Sequence, residues 1–182
     1  MKRQIRRGAF ETNSSSTHAI CISKKRNYKI PAYVTFTHDE FGWEFGEYHD
    51  TWTKASYLYQ AIISVYYDDP EPALKKLKSI LADYGVACEF ETARSGEFWD
   101  NGYIDHGGEC YEFVEAVLND NELLFTYLFG DSFVITGNDN GYSFDERMYV
   151  KEEDIVESWG TYPSYGDLKP EFRNYDIYRK GN

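Results

Sequence analysis

The chain has 182 residues, of which 42% are hydrophobic and 18% aromatic, and it carries a formal net charge of −12 at pH 7. That length can bury a sizeable core, and 17 Tyr with 12 Phe argue against a disordered polyelectrolyte. No apolar run approaches the roughly 20 residues needed to span a bilayer, and no apolar stretch follows the basic opening MKRQIRRGAF as it would in a secretory signal.

Charge is unevenly placed. Residues 1–30 hold eight Lys and Arg against Glu11 alone, a net of +7 that leaves −19 for the remainder. A basic arm thus precedes an acidic body. Either the arm folds back and neutralises the body, or the two parts meet partners of opposite charge. Arg3, Arg6 and Arg7 are the candidate contacts to a phosphate backbone.

Next comes ETNSSSTHAICIS, in which Thr12 to His18 are all polar. A strand is expected over Ala19–Ser23, which places the polar heptad in a loop at a sheet end. Asn13, Ser14, Ser15, Ser16 and His18 are the candidate ligand- or partner-binding groups, since small hydroxyls and free backbone N–H groups suit an anion or a partner loop. The alternative is turn chemistry, with hydroxyls satisfying the backbone. His18 borders the strand and can donate and accept at once when neutral, so it is expected to serve a partner more than the fold. The heptad lacks the glycines and the lysine of a P-loop, and no G-x-S-x-G elbow occurs.

A second strand is expected over Tyr33–Thr37, then an aromatic, acidic loop, GWEFGEYHDTWT. A helix is expected over Lys54–Tyr67 with Thr53 as cap, since Ala55, Leu58, Ile62 and Val65 share one face. Another follows, capped by Asp69 with Pro70 in first position, striped by Leu74, Leu77 and Leu81 and ended by Gly85. VACEFETA reads as a strand and RSGEFWDNGYIDHGGE as a long loop. CYEFVEAVLND and NELLFTYLFG read as consecutive helices, SFVITG as a strand before the turn NDNG. One short helix is expected near Glu152–Ser158. Strands and helices do not alternate regularly, so the expectation is a single acidic α+β domain over 1–182, a mixed or antiparallel sheet with helices packed on it.

Cys21, Cys88 and Cys110 are odd in number, with no CxxC pair, which predicts packed free thiols and a reducing cytoplasm. His38-Asp39, His49-Asp50 and Asp105-His106 are His/Asp pairs without metal-ligand spacing, and no metal or cofactor is expected. Asp105 and His106 are kept as binding candidates. Carboxylates among aromatics recur in HDEFGWEFGEYHD and GEFWDNGYIDHGGE, a composition that suits contact with a basic protein groove.

The opening IRRGAFETNSSSTHAI resembles small proteins of phages and mobile elements of gut Firmicutes that begin with an Arg-Gly-x-Phe-Glu-Thr-Asn-Ser-Ser-Ser-x-His signature. EFGWEF (40–45), ASYLYQAI (55–62), YIDH (103–106) and TGNDN (136–140) are also similar to that family. One branch of it resembles type II-A anti-CRISPR proteins. The resemblance implies a mobile-element origin, a bacterial cytoplasmic setting, and non-catalytic inhibition of an RNA-guided DNA nuclease with its guide RNA. The acidic body would take the basic channel, and the arm would contact nucleic acid. The alternative is a nucleotide- or phosphate-binding enzyme that uses the Thr12–His18 loop.

Overall fold

A computed structural model describes residues 16–92, 101–138, 144–157 and 160–181. Arg3, Arg6, Arg7, Asn13, Ser14 and Ser15 lie outside the described residues, as does most of the expected NDNG turn.

The molecule is α+β. Its main sheet is antiparallel and built on β1 (Ser16–Ser23), which pairs with β7 (Phe133–Asn138) on one edge and β10 (Tyr175–Lys180) on the other. β4 (Gly46–Tyr48) closes the far side of β7, giving the order β10-β1-β7-β4. All eight positions of β1 are buried, because both faces of the sheet are covered. Side chains alternate along the strand. Ile20 and Ile22 enter the larger core with the helices, while Ala19 and Cys21 enter a second cluster with Phe133, Phe144, Met148 and Phe172.

The larger core is built by four helices. α1 (Thr51–Val65) is capped by Asp50, whose side chain accepts from Thr53 N–H. The helix therefore starts three residues before the expected Lys54, because an Asx oxygen is a better cap acceptor here than Thr53, which sits inside the first turn. α2 (Glu71–Asp83) has Pro70 itself at the cap position with no side-chain cap, in place of the expected Asp69, and Gly85 at φ +77° follows it. Asp120 ends α3 (Tyr111–Asn119) and caps α4 (Asn121–Phe129), accepting from Leu123 N–H. Phe113 of α3 is 1% exposed and packs against Tyr57, Tyr127 and Tyr178.

Two short parallel pairs flank the helices: β2 (Tyr33–Phe36) with β5 (Ala87–Phe90), and β3 (Glu40–Phe41) with β6 (Tyr103–Ile104). The opposite face of the sheet is covered by α5 (Phe144–Met148) and by a hairpin of β8 (Tyr149–Glu157) and β9 (Gly160–Leu168). Where a short helix is expected near Glu152–Ser158, the described residues to Glu157 are strand. Val150, Ile155 and Val156 are β-branched, and pairing with 160–168 outweighs the helix preference of the intervening Glu-Glu. No helix among the described residues is long and apolar enough to cross a membrane.

Phe113→Ala is expected to cost about 3–5 kcal/mol, as for a large ring removed from a close-packed core. Val156→Ala, at an 81% exposed position, is expected to stay within about 0.5 kcal/mol. Urea unfolding of the two variants checks the contrast.

Candidate functional site

Of the residues singled out from sequence, the four that are described, Ser16, His18, Asp105 and His106, lie near the start of β1. Ser16, Thr17 and His18 are strand, not loop, and all three are buried. Ser16 and His18 find hydrogen-bond partners inside the protein while the buried Thr17 hydroxyl has none, so polarity alone does not mark a loop.

Ser16 is held on two sides. Its N–H donates to Asp105 Oδ2 at 3.3 Å and its hydroxyl donates to the Asp105 carbonyl at 3.2 Å. Lys180, the last residue of β10, is fully buried, and its ammonium donates to the Ser16 carbonyl at 2.6 Å and to the Ser16 hydroxyl. Trp43 Nε1 donates to the same Asp105 Oδ2 at 2.8 Å. Burial alone would raise the Asp105 carboxyl. The bonds from Trp43 and Ser16, with the Lys180 ammonium nearby, outweigh it and hold Asp105 below the usual carboxylate range. Burial pushes the Lys180 amine down, against the pull of Asp105 and Glu109.

His18, two residues on and on the same face of β1, reaches deeper into the helical core. Its Nε2 donates to the Gly42 carbonyl at 3.0 Å, which leaves Nδ1 to accept from Tyr57 Oη at 3.0 Å. Tyr57 Oη lies 3.7 Å from Cys110 Sγ, so a thiol, a phenol and an imidazole form one buried chain. Burial pushes His18 down to about 4; Gly42 and Asp105 pull it up and Lys180 pushes it further down. Both ring nitrogens are spent inside the core, so the expectation that His18 serves a partner more than the fold gives way to a role in bracing β1 against α1. Sequence reading missed Trp43, Tyr57 and Lys180. The first lay inside an expected loop, the second on an expected helix, and no local pattern ties position 180 to position 16.

Beside this junction opens a cleft of about 780 Å³ between α1 and the segment from Asn101 to Glu109. Ile63 and Leu74 line it with Tyr59, Tyr67 and Tyr103, and Asp105, His106 and Glu109 belong to the lining too. The wall at Asn101 is fixed by Gln60, whose amide donates to the Asn101 carbonyl at 2.8 Å and to His38 Nδ1 at 3.1 Å. Gly102 sits at φ +69°, and a Cβ there would lie 2.3 Å from the Asp39 carbonyl, so this crossing needs glycine. His106 also has a positive φ, 53°, an unusual conformation for a side-chain-bearing residue.

Other candidate chemistry is placed elsewhere. Asp50 caps α1, His49 Nε2 lies 2.9 Å from Glu47, and His106 Nε2 lies 3.8 Å from Asp105. The His/Asp pairs thus serve separate local contacts, and no group of three His, Cys, Asp or Glu among the described residues is placed to hold a metal. Burial pushes Cys21 up to about 12 and Cys110 up to about 11, so neither is a thiolate near neutral pH. An anion at Ser16 N–H would meet the Asp105 carboxylate already there. Compared with family models, curated proteins and solved structures, the chain matches none.

Two outcomes follow from the buried groups. The folded protein holds His18 near pKa 4 against about 6.5 unfolded, so the unfolded chain binds the extra proton between those values. The His18 contribution is therefore complete above pH 6.5 and lost as pH falls toward 4, by about 3 kcal/mol at 1.36 kcal/mol per unit. Denaturant midpoints of wild type and His18→Gln, compared from pH 7 to 4, are expected to show the steeper decline in wild type. In the native protein at pH 8, half-buried Cys88 is expected to react first with a thiol reagent, and Cys21 and Cys110 only on unfolding, as peptide mapping would read out.

Proposed function

We propose that this chain is an anti-CRISPR protein of a phage or mobile element, which binds a type II RNA-guided DNA nuclease in the bacterial cytoplasm and blocks DNA binding or cleavage without catalysis. Besides the opening signature, one observation carries the reading. From His38 to Thr53 the chain has five carboxylates and no Lys or Arg. Asp39, Glu40, Glu44 and Asp50 are exposed there among exposed Trp43, Phe45 and Trp52. The nuclease channel is built to receive a polyanion. Fixed carboxylates supply the same sign of charge, and aromatic rings supply contact area at low entropic cost.

The arm has the other half of this role. Arg3, Arg6 and Arg7 carry charge suited to guide RNA or DNA phosphates. Of the other basic residues near the start, Arg26 is tied to Asp176 at 2.6 Å and Lys24 to the Arg173 carbonyl at 3.1 Å, so these two serve the body.

Pull-down of the guide-loaded nuclease and a plasmid-cleavage assay test the reading. Binding is expected to weaken at least about tenfold between roughly 0.1 and 0.5 M salt, as the Debye length falls from about 10 to 4 Å. Affinity that stays flat over that range rules out charge mimicry. Arg3, Arg6 and Arg7 changed together to Ala are expected to remove nucleic-acid retention in a gel shift at low salt. Absence of retention in wild type removes the arm from the proposal.

A further inference from the structure

We infer that the cleft between α1 and Asn101–Glu109 is a receptor for a single arginine side chain, which, on the reading above, a basic channel of the nuclease presents. Charge is the first argument. Asp105 and Glu109 line the cleft, and none of its described lining residues is Lys or Arg. The Lys180 ammonium, which acts on Asp105, is fully buried and donates to Ser16. Shape is the second. Ile63, Leu74 and Ile104 offer apolar surface to a methylene stem, and Tyr59, Tyr67 and Tyr103 add aromatic side chains to the lining. A guanidinium stacks on aromatic faces and forks onto carboxylates, whereas an ammonium acts as a compact, strongly hydrated point charge.

Rigidity is the third. Tyr59 Oη is fixed by the Glu91 carbonyl at 2.8 Å, Asp105 Oδ2 by Ser16 and Trp43, and the Asn101 wall by Gln60. A carboxylate already oriented in this way loses little freedom when a cation arrives. Tyr67 is 74% exposed and Glu109 is exposed, so both stand where a side chain enters from solvent. The cleft is next to Trp43 and Glu40, which bond and pair with Asp105 and Tyr103, so an arginine seated here belongs to a partner lying across the acidic face.

The test uses the full chain and a blocked Gly-Arg-Gly peptide as probe, with Gly-Lys-Gly as comparison, followed by NMR titration. Saturable shifts on residues of α1 and 101–109 are expected, with the lysine peptide at least about threefold weaker. Glu109→Lys is expected to weaken the arginine peptide about tenfold and Tyr67→Ala about threefold. Both positions are exposed, so the fold is retained, and Glu153→Lys on the distant hairpin is expected to change nothing. Equal binding of both peptides, or no loss in Glu109→Lys, overturns the receptor. The nuclease assay separates this inference from the function it rests on. Full inhibition by Glu109→Lys and Tyr67→Ala removes the cleft from the contact and leaves the inhibitor standing. Wild type that binds the arginine peptide but not the nuclease upholds the receptor and removes the inhibitor.

Discussion

β1 is covered on both faces and paired on both edges, and each layer of the molecule is placed by one of those four contacts. A strand in that position has no solvent-facing side on which to put a polar group. Its first three residues are nonetheless Ser, Thr and His, and the desolvation of each buried polar group costs about 1–3 kcal/mol if it goes unpaired. Ser16 and His18 answer this with partners drawn from the sheet edge, the loop at Gly42, α1 and the segment at Asp105. The start of the strand therefore fixes the relative position of parts that are far apart in sequence.

The same polar junction sets the character of the surface above it. Asp105 is oriented by Ser16 and Trp43, Trp43 is in turn held with its ring partly in solvent, and the cleft wall follows from Asp105 to Glu109. Buried order and exposed charge are thus linked through one carboxylate. Lys54 gives a parallel case inside the core. Burial pushes its amine down to about 8, and it donates to the carbonyls of Gly130 and Ser132, locking α1 to the turn before β7.

Elements whose signal is local were legible in the sequence. Apolar residues at helical spacing marked α1 and α2, two consecutive helices were read over α3 and α4, and the apolar runs marked β1 and β7, with end errors of a few residues where an Asx oxygen or a proline decided the cap. Elements whose signal is a distant partner were not. β4 is three residues long, β10 pairs across the length of the chain, and the β8–β9 hairpin depends on its own opposite strand rather than on helix preference. At the site, Ser16, His18, Asp105 and His106 were picked from residue type and motif, and the structure gathers them near one end of β1. Their roles were not readable, because a buried strand and a polar loop have the same composition here, and only the partners distinguish them.

The bond from Lys180 to Ser16 spans 164 positions, and that from Asp105 to Ser16 spans 89. During synthesis β1 leaves the ribosome well before β7 and β10. Both edges of the central strand are open until β7 is made, and one stays open until β10 follows. Contacts of such long range slow folding and lengthen the exposure of sticky surface. In a nascent chain of this design the apolar centre of the sheet stays unpaired on that edge until β10 is made.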